Sequence, residues 1–402
     1  MPFRKDNLKI ILFQLVILPF LFSCNSSSSS SSSTDSNSGS YFVKGGFGLF
    51  ANGGNGVKYG NFELYLMGLI PPSEVEDIVY FDNVTQTTDD LNNRCSDGEW
   101  CPIFHSTSKK TLSITQLEQN YGKRDPDSSQ SQKSFNAMVM MISKTDLTQS
   151  EIVDLSNDVN YFDNASENYG NFAWATGSRA SLTLDNLTNS LIDNSTTSYT
   201  YNNRDYKILD NGSFVSVVIS DSEYSNWNDG SINYISTFSN RTSFFEDVYK
   251  IFKDDFDFFI ILHNNASLPS TFSYYGLHMS VSSSIKGISK TSTTYDYSSY
   301  YGSSGKLKFV IHIPYNGLLS GPTLHEIFHH WGNYILDSQF TNQQSAGSHW
   351  GFSSACCQLG GFEKSKLNQS STARSVHSKK TDSQLEISKS SFYDLDVLNY
   401  ED

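Results

Sequence analysis

Residues 320–337 read SGPTLHEIFHHWGNYILD. Two histidines, His325 and His329, stand four apart, with Glu326 directly after the first. In an α-helix each residue turns the chain by about 100°, so positions four apart lie about 40° apart around the axis. The two imidazoles then project from one side, one turn apart, and can share a metal ion. Glu326 stands beside the first of them, where a carboxylate can take a proton from water at that ion.

The flanks fit a helix. Ser320 is an N-cap residue and Pro322 suits a first turn. Leu324, Ile327, Phe328, Trp331, Tyr334 and Ile335 form one apolar stripe, and the two histidines fall on another side, next to Gly332. Just upstream, 306–315 (KLKFVIHIPY) reads as a strand. The expectation is a strand, a loop and then a helix that buries one face and offers the other to a cleft.

His325-Glu326-Ile327-Phe328-His329, with Gly332 three residues on, resembles the active-site helix of the zincin metallopeptidases. The likeness is confined to this helix and its surroundings. It implies an α+β, zincin-like fold, with a mixed sheet packed on the motif helix and a loop-rich second subdomain. It implies Zn²⁺ as cofactor, a protein or peptide substrate, and zinc-dependent endopeptidase activity with Glu326 as general base. The metzincin branch places a third histidine three residues after the glycine, where this chain has Ile335. The third ligand must therefore come from elsewhere. His349, in a Gly- and Ser-rich loop over 344–354, is the first candidate. Glu63, a carboxylate ligand as in the gluzincin branch, is the second. His330 faces away from the pair and is expected to be structural or solvated.

The chain opens with Arg4 and Lys5, then an apolar run from Leu8 to Phe22, and then Leu21-Phe22-Ser23-Cys24. Residues 1–23 read as a signal peptide. A cysteine after a Leu-x-Ser triplet resembles the lipobox of bacterial lipoproteins, which implies lipidation at Cys24 and a protein exported and anchored to a bacterial membrane. Residues 24–40, with eight consecutive serines, read as a tether. The remaining chain divides into a loop-rich subdomain over 41–145, a catalytic domain over 146–362 and a polar tail over 363–402.

The net charge of −14 argues against nucleic acid as a partner. Aromatic residues make up 14% of the chain, enough for a core without many staples. Cys95 and Cys101, flanking SDGEW, are expected to form a local disulfide in an oxidising compartment, while Cys356 and Cys357 are adjacent and their state is open.

The middle of the chain supplies the elements that would carry the motif helix. Asn61–Leu69 reads as a short helix bearing Glu63 and Met67. Phe135–Ile142, Ser213–Ser220 and Asp257–Leu262 read as strands, and Phe238–Phe252 as a helix. Thr148 and Glu151 have capping-box spacing ahead of another helix. Ser280–Tyr301 is expected to carry an edge strand or a lid. The front segment is expected to pack against the 206–362 half, with Met67 beneath the motif helix. A second reading, from a different class, is a non-catalytic surface lipoprotein that binds a host or matrix protein.

Overall fold

The computed structural model describes residues 38–44, 54–163, 166–184, 187–233, 237–264, 276–288, 294–332 and 349–369. The expected signal peptide, Cys24, most of the tether, and the tail beyond residue 369 lie outside the described residues. Those described all belong to one compact unit.

The protein is a mixed α and β structure built on an eight-stranded mixed sheet. Its strands are β1 (Ser134–Ser143), β2 (Ser181–Thr183), β3 (Ser198–Tyr201), β4 (Arg204–Leu209), β5 (Phe214–Val218), β6 (Phe258–His263), β7 (Leu277–Ser280) and β8 (Phe309–Pro314). Their spatial order is β7-β8-β6-β1-β5-β4-β3, with β2 alongside the start of β1. The four central strands β8, β6, β1 and β5 are mutually parallel. β7 closes one side antiparallel to β8, and β4 and β3 close the other.

Four helices matter for the site: α1 (Asn61–Leu66), α2 (Gln149–Asp163), α3 (Phe238–Ile251) and α4 (Thr323–Gly332). Both sheet faces are covered, which is why β6 and β8 are apolar almost throughout rather than alternating. Successive side chains still point to opposite faces. Val139, Met141, Ile260, Leu262 and Ile311 join Leu155, Leu324, Ile327 and Phe328 from α2 and α4 in one core. Met138, Met140, Val215, Phe259, Ile261 and Val310 join Phe244, Phe245, Val248 and Ile251 of α3 in the other.

The stretch 41–145 shares that first core rather than standing apart. β1 lies within it and runs through the middle of the sheet. Phe62, Leu64, Leu66 and Met67, from α1 and the residue after it, are buried with the α4 stripe. The Tyr59 hydroxyl donates to the Leu324 carbonyl at 2.7 Å, tying the front segment to the motif helix.

The Thr148–Glu151 capping box is formed, with the Glu151 carboxylate accepting from Thr148 N at 2.7 Å. The cap expected on the motif helix differs. Ser320 ends a separate short turn, Gly317–Ser320, and its carbonyl accepts from Asn55 N. The first bond of α4 runs from Glu326 N to Pro322 O, so the helix begins at Thr323. Tyr334 and Ile335 lie outside the described residues. Cys95 and Cys101 are disulfide-bonded, and so are Cys356 and Cys357.

Candidate metal centre

α4 carries His325 and His329 one turn apart, as its periodicity demands. Their Nε2 atoms are 3.0 Å apart. His349, twenty residues further on, returns over the helix and brings its own Nε2 to 3.0 Å from that of His325. The three ligand atoms lie within 4.8 Å of one another, and the cluster can hold a metal ion. Two nitrogens at tetrahedral angles around an ion, with bonds of about 2.0–2.1 Å, would stand about 3.3 Å apart. The observed spacings are close to that.

The tautomer of His325 follows from its other nitrogen. Nδ1 lies 2.7 Å from the carbonyl oxygen of Gln358, which can only accept. Nδ1 therefore carries the hydrogen, and Nε2 presents a bare lone pair to the cluster. Such a bond on the far nitrogen also fixes the ring plane, as outer partners of metal-binding histidines generally do. Burial pushes the His325 imidazole down to about 4. Burial, with His325 beside it, pushes His349 down to about 3. Both rings are neutral near pH 7, the state a metal requires.

Glu326 is 5% exposed, and burial pushes its carboxyl up to about 8. Space around that carboxylate depends on Gly276. A Cβ there would come within 2.5 Å of Glu326 Oε1 and 2.7 Å of Pro322 Cγ.

Glu63, the alternative ligand, is not part of the cluster. It is fully buried on α1, and both oxygens are occupied by N–H donors. Oε1 accepts from the Trp350 indole at 2.9 Å and Leu359 N at 3.0 Å. Oε2 accepts from Gln358 N at 3.1 Å and Gly60 N at 3.0 Å. Its role is to fasten the 350–359 segment, which directly follows His349 and carries the Gln358 carbonyl near its other end.

Gly332 admits the same segment. A Cβ on it would stand 2.7 Å from Leu359 Cδ1 and 2.5 Å from the Phe328 ring. Met67 sits beneath the other side of the helix, in the core, and lines a cavity with His330 and Trp331. His330 stacks on Phe309, with ring centroids 5.0 Å apart, and is absent from the metal cluster.

One site residue had no signal in the sequence. His278, on the edge strand β7, donates from Nδ1 to the backbone carbonyl of Glu326 at 2.8 Å. Its ring centroid is 6.1 Å from that of His329. Only the alternation of Leu277 and Met279 around it marks the strand, and nothing marks the histidine. The edge strand of the main sheet lies at 277–280, overlapping the Ser- and Tyr-rich stretch at Ser280, and that stretch itself holds a short antiparallel pair, Ser282–Ser283 with Tyr295–Asp296.

Three imidazole nitrogens, one bare lone pair fixed by a backbone carbonyl, and an adjacent buried carboxylate make a site able to bind a divalent cation and move a proton beside it. No family model, curated protein or solved structure matches this chain.

Proposed function

We propose that the protein is a zinc-dependent endopeptidase. The observation that carries this reading is the convergence of His325, His329 and His349 Nε2 atoms with Glu326 on the same helix. Three imidazoles suit Zn²⁺ well among biological divalent cations. Bound there, zinc would supply Lewis acidity to a water molecule and to the scissile carbonyl.

The chain's own groups do the rest. Glu326 takes the proton from the attacking water and delivers it to the leaving amine. Its burial favours a carboxyl able both to hold and to release a proton near neutral pH. The Gln358 carbonyl keeps His325 in its ligand tautomer. Among the described residues β7 has a neighbour on one side only, β8. An extended peptide can add to such an edge through main-chain bonds, and His278 ties that edge to the backbone of Glu326. The lipobox-like Cys24 would hold this activity at a bacterial membrane surface.

The test is metal content and peptide hydrolysis in parallel. Wild type is expected to carry about one zinc per chain and to cleave an unfolded protein such as casein. His325→Ala, His329→Ala and His349→Ala each lose the metal. Glu326→Gln keeps the metal and loses cleavage. Metal without cleavage in wild type would favour the non-catalytic surface lipoprotein that binds a host or matrix protein. No metal after reconstitution would end the peptidase reading.

A further inference from the structure

A second feature lies on the other side of α4. A cavity of about 240 Å³ opens between the start of β1, the residues leading into β8, and the last turn of α4. Met67, Arg124, Phe135, Lys308, His330 and Trp331 line it.

Arg124 is the anomaly. It is 7% exposed, and its guanidinium has no carboxylate partner among the described residues. Nε donates to Leu66 O at 2.6 Å, and Nη1 to Ser131 Oγ at 2.6 Å and to the Pro126 carbonyl. Nη2 has no hydrogen-bond partner among the described residues. Burial lowers its pKa to about 10, so it remains charged at neutral pH. Asp125 and Asp127 act on the charge from a distance without bonding it, and a buried cation with an open donor is costly unless something anionic meets that donor. Lys308 does not add to the excess, because Asp257 accepts from it at 2.7 Å. His330 Nδ1, in the same wall, is buried without a partner. Asp296, at the exposed mouth, already accepts from Ser298 N and Oγ.

We propose that this cavity binds a small organic carboxylate, its charge on Arg124 Nη2 and its apolar body against Met67, Phe135 and Trp331. Phosphate fits less well, because one open guanidinium nitrogen meets one charge and Asp296 in the lining opposes a second. The inference does not depend on the metal site.

Calorimetric titration of the full chain tests it, with 3-methylbutanoate and benzoate as probes, their neutral amides as controls, and inorganic phosphate. The carboxylates are expected to bind, and the amides at least about tenfold more weakly, as loss of a charge-assisted bond implies. Arg124→Met should abolish binding. Because Arg124 also holds Leu66 and Pro126, that variant can fail to fold, and two others stand beside it. Ser284→Trp, at the exposed mouth, should fill the cavity and block binding. Asp296→Asn keeps the oxygen that accepts from Ser298 and removes a charge, so binding should tighten about two- to fivefold at low salt. Equal binding of acid and amide, tighter binding of phosphate, no binding of either carboxylate, or weaker binding to Asp296→Asn would each overturn the proposal.

Discussion

The Glu63 carboxylate and the Trp350 indole N–H meet at 2.9 Å across 287 residues of sequence. Trp350 packs between Phe62 of α1 and Phe328 of α4, with ring centroids 5.6 and 6.3 Å away. It directly follows His349. The third imidazole therefore stands on a residue locked both by packing and by a buried anion. Three further N–H groups converge on the same carboxylate and favour its ionised form, opposing the burial that raises its pKa.

Glu63→Gln should weaken metal binding without touching a ligand. The amide nitrogen would face donors where an oxygen now accepts, leaving buried N–H groups unsatisfied at about 1–3 kcal/mol each. The 350–359 segment should loosen, and outer-partner losses of this kind cost about 10- to 100-fold in metal affinity. Chelator competition on wild type and variant measures it. Unchanged affinity would mean that His349 is held by something other than this clamp.

Gly60→Ala tests the same clamp from the backbone. Gly60 has φ −72°, which any residue can adopt, so conformational freedom is not why glycine stands there. The reason is approach. An added Cβ would sit 2.3 Å from the Cys356 carbonyl oxygen. A backbone atom cannot swing aside as a side chain can, so the 350–359 segment must shift bodily. A loss of about 1–3 kcal/mol in unfolding free energy is expected, as for overpacked cores, together with weaker metal binding. If alanine left both unchanged, the close approach would not constrain the segment.

Local patterns made much of this fold legible. The β6 and β8 strands announce themselves as apolar runs, and α4 by its stripe of Leu324, Ile327, Phe328 and Trp331. The Thr148–Glu151 box marks the start of α2. His349 was reachable because a Gly- and Ser-rich loop can fold back on the helix that precedes it. The role of Glu63 was not, since it depends on donors almost 300 positions away, and a carboxylate near a histidine motif reads as readily as a ligand. His278 was invisible for a similar reason, because its partner is a backbone carbonyl. Ser320 misled because two demands compete locally. The Gly317–Ser320 turn takes it before the helix can.

The Cys95–Cys101 disulfide separates global stability from the site. It closes a loop of only a few residues, at a Cα separation of 5.4 Å. On the chain-entropy account such a loop contributes about 2 kcal/mol. Cys95→Ser with Cys101→Ser should lower the urea midpoint by a corresponding amount while zinc content stays as in wild type. Loss of zinc in that double variant would show that the cysteine loop supports the metal site through contacts not evident in its position.

Acid should destabilise the fold through histidines that bind no metal. His263 and His312 lie side by side in the sheet, Nδ1 to Nε2 at 2.9 Å, with His312 edge-on to Trp227. Burial pushes His263 down to about 4, and burial with its neighbour holds His312 well below the usual imidazole range. Both folded values are below the unfolded value of about 6.5, so between them the unfolded chain binds more protons. The stability is therefore fully present above about pH 6.5 and is lost as pH falls through 6.5 toward 4. Each histidine contributes a slope of up to about 1.4 kcal/mol per pH unit in that window. Urea unfolding of chelator-treated protein at pH 7, 6, 5 and 4.5 measures it free of metal loss. Replacing both residues with non-titrating side chains, as in His263→Leu with His312→Phe, should make the profile shallower by the share of these two, the remaining slope coming from the other buried histidines, His278, His325 and His349 among them. An unfolding midpoint that stayed level across that window in wild type would mean the pair is accessible enough to titrate in the folded state.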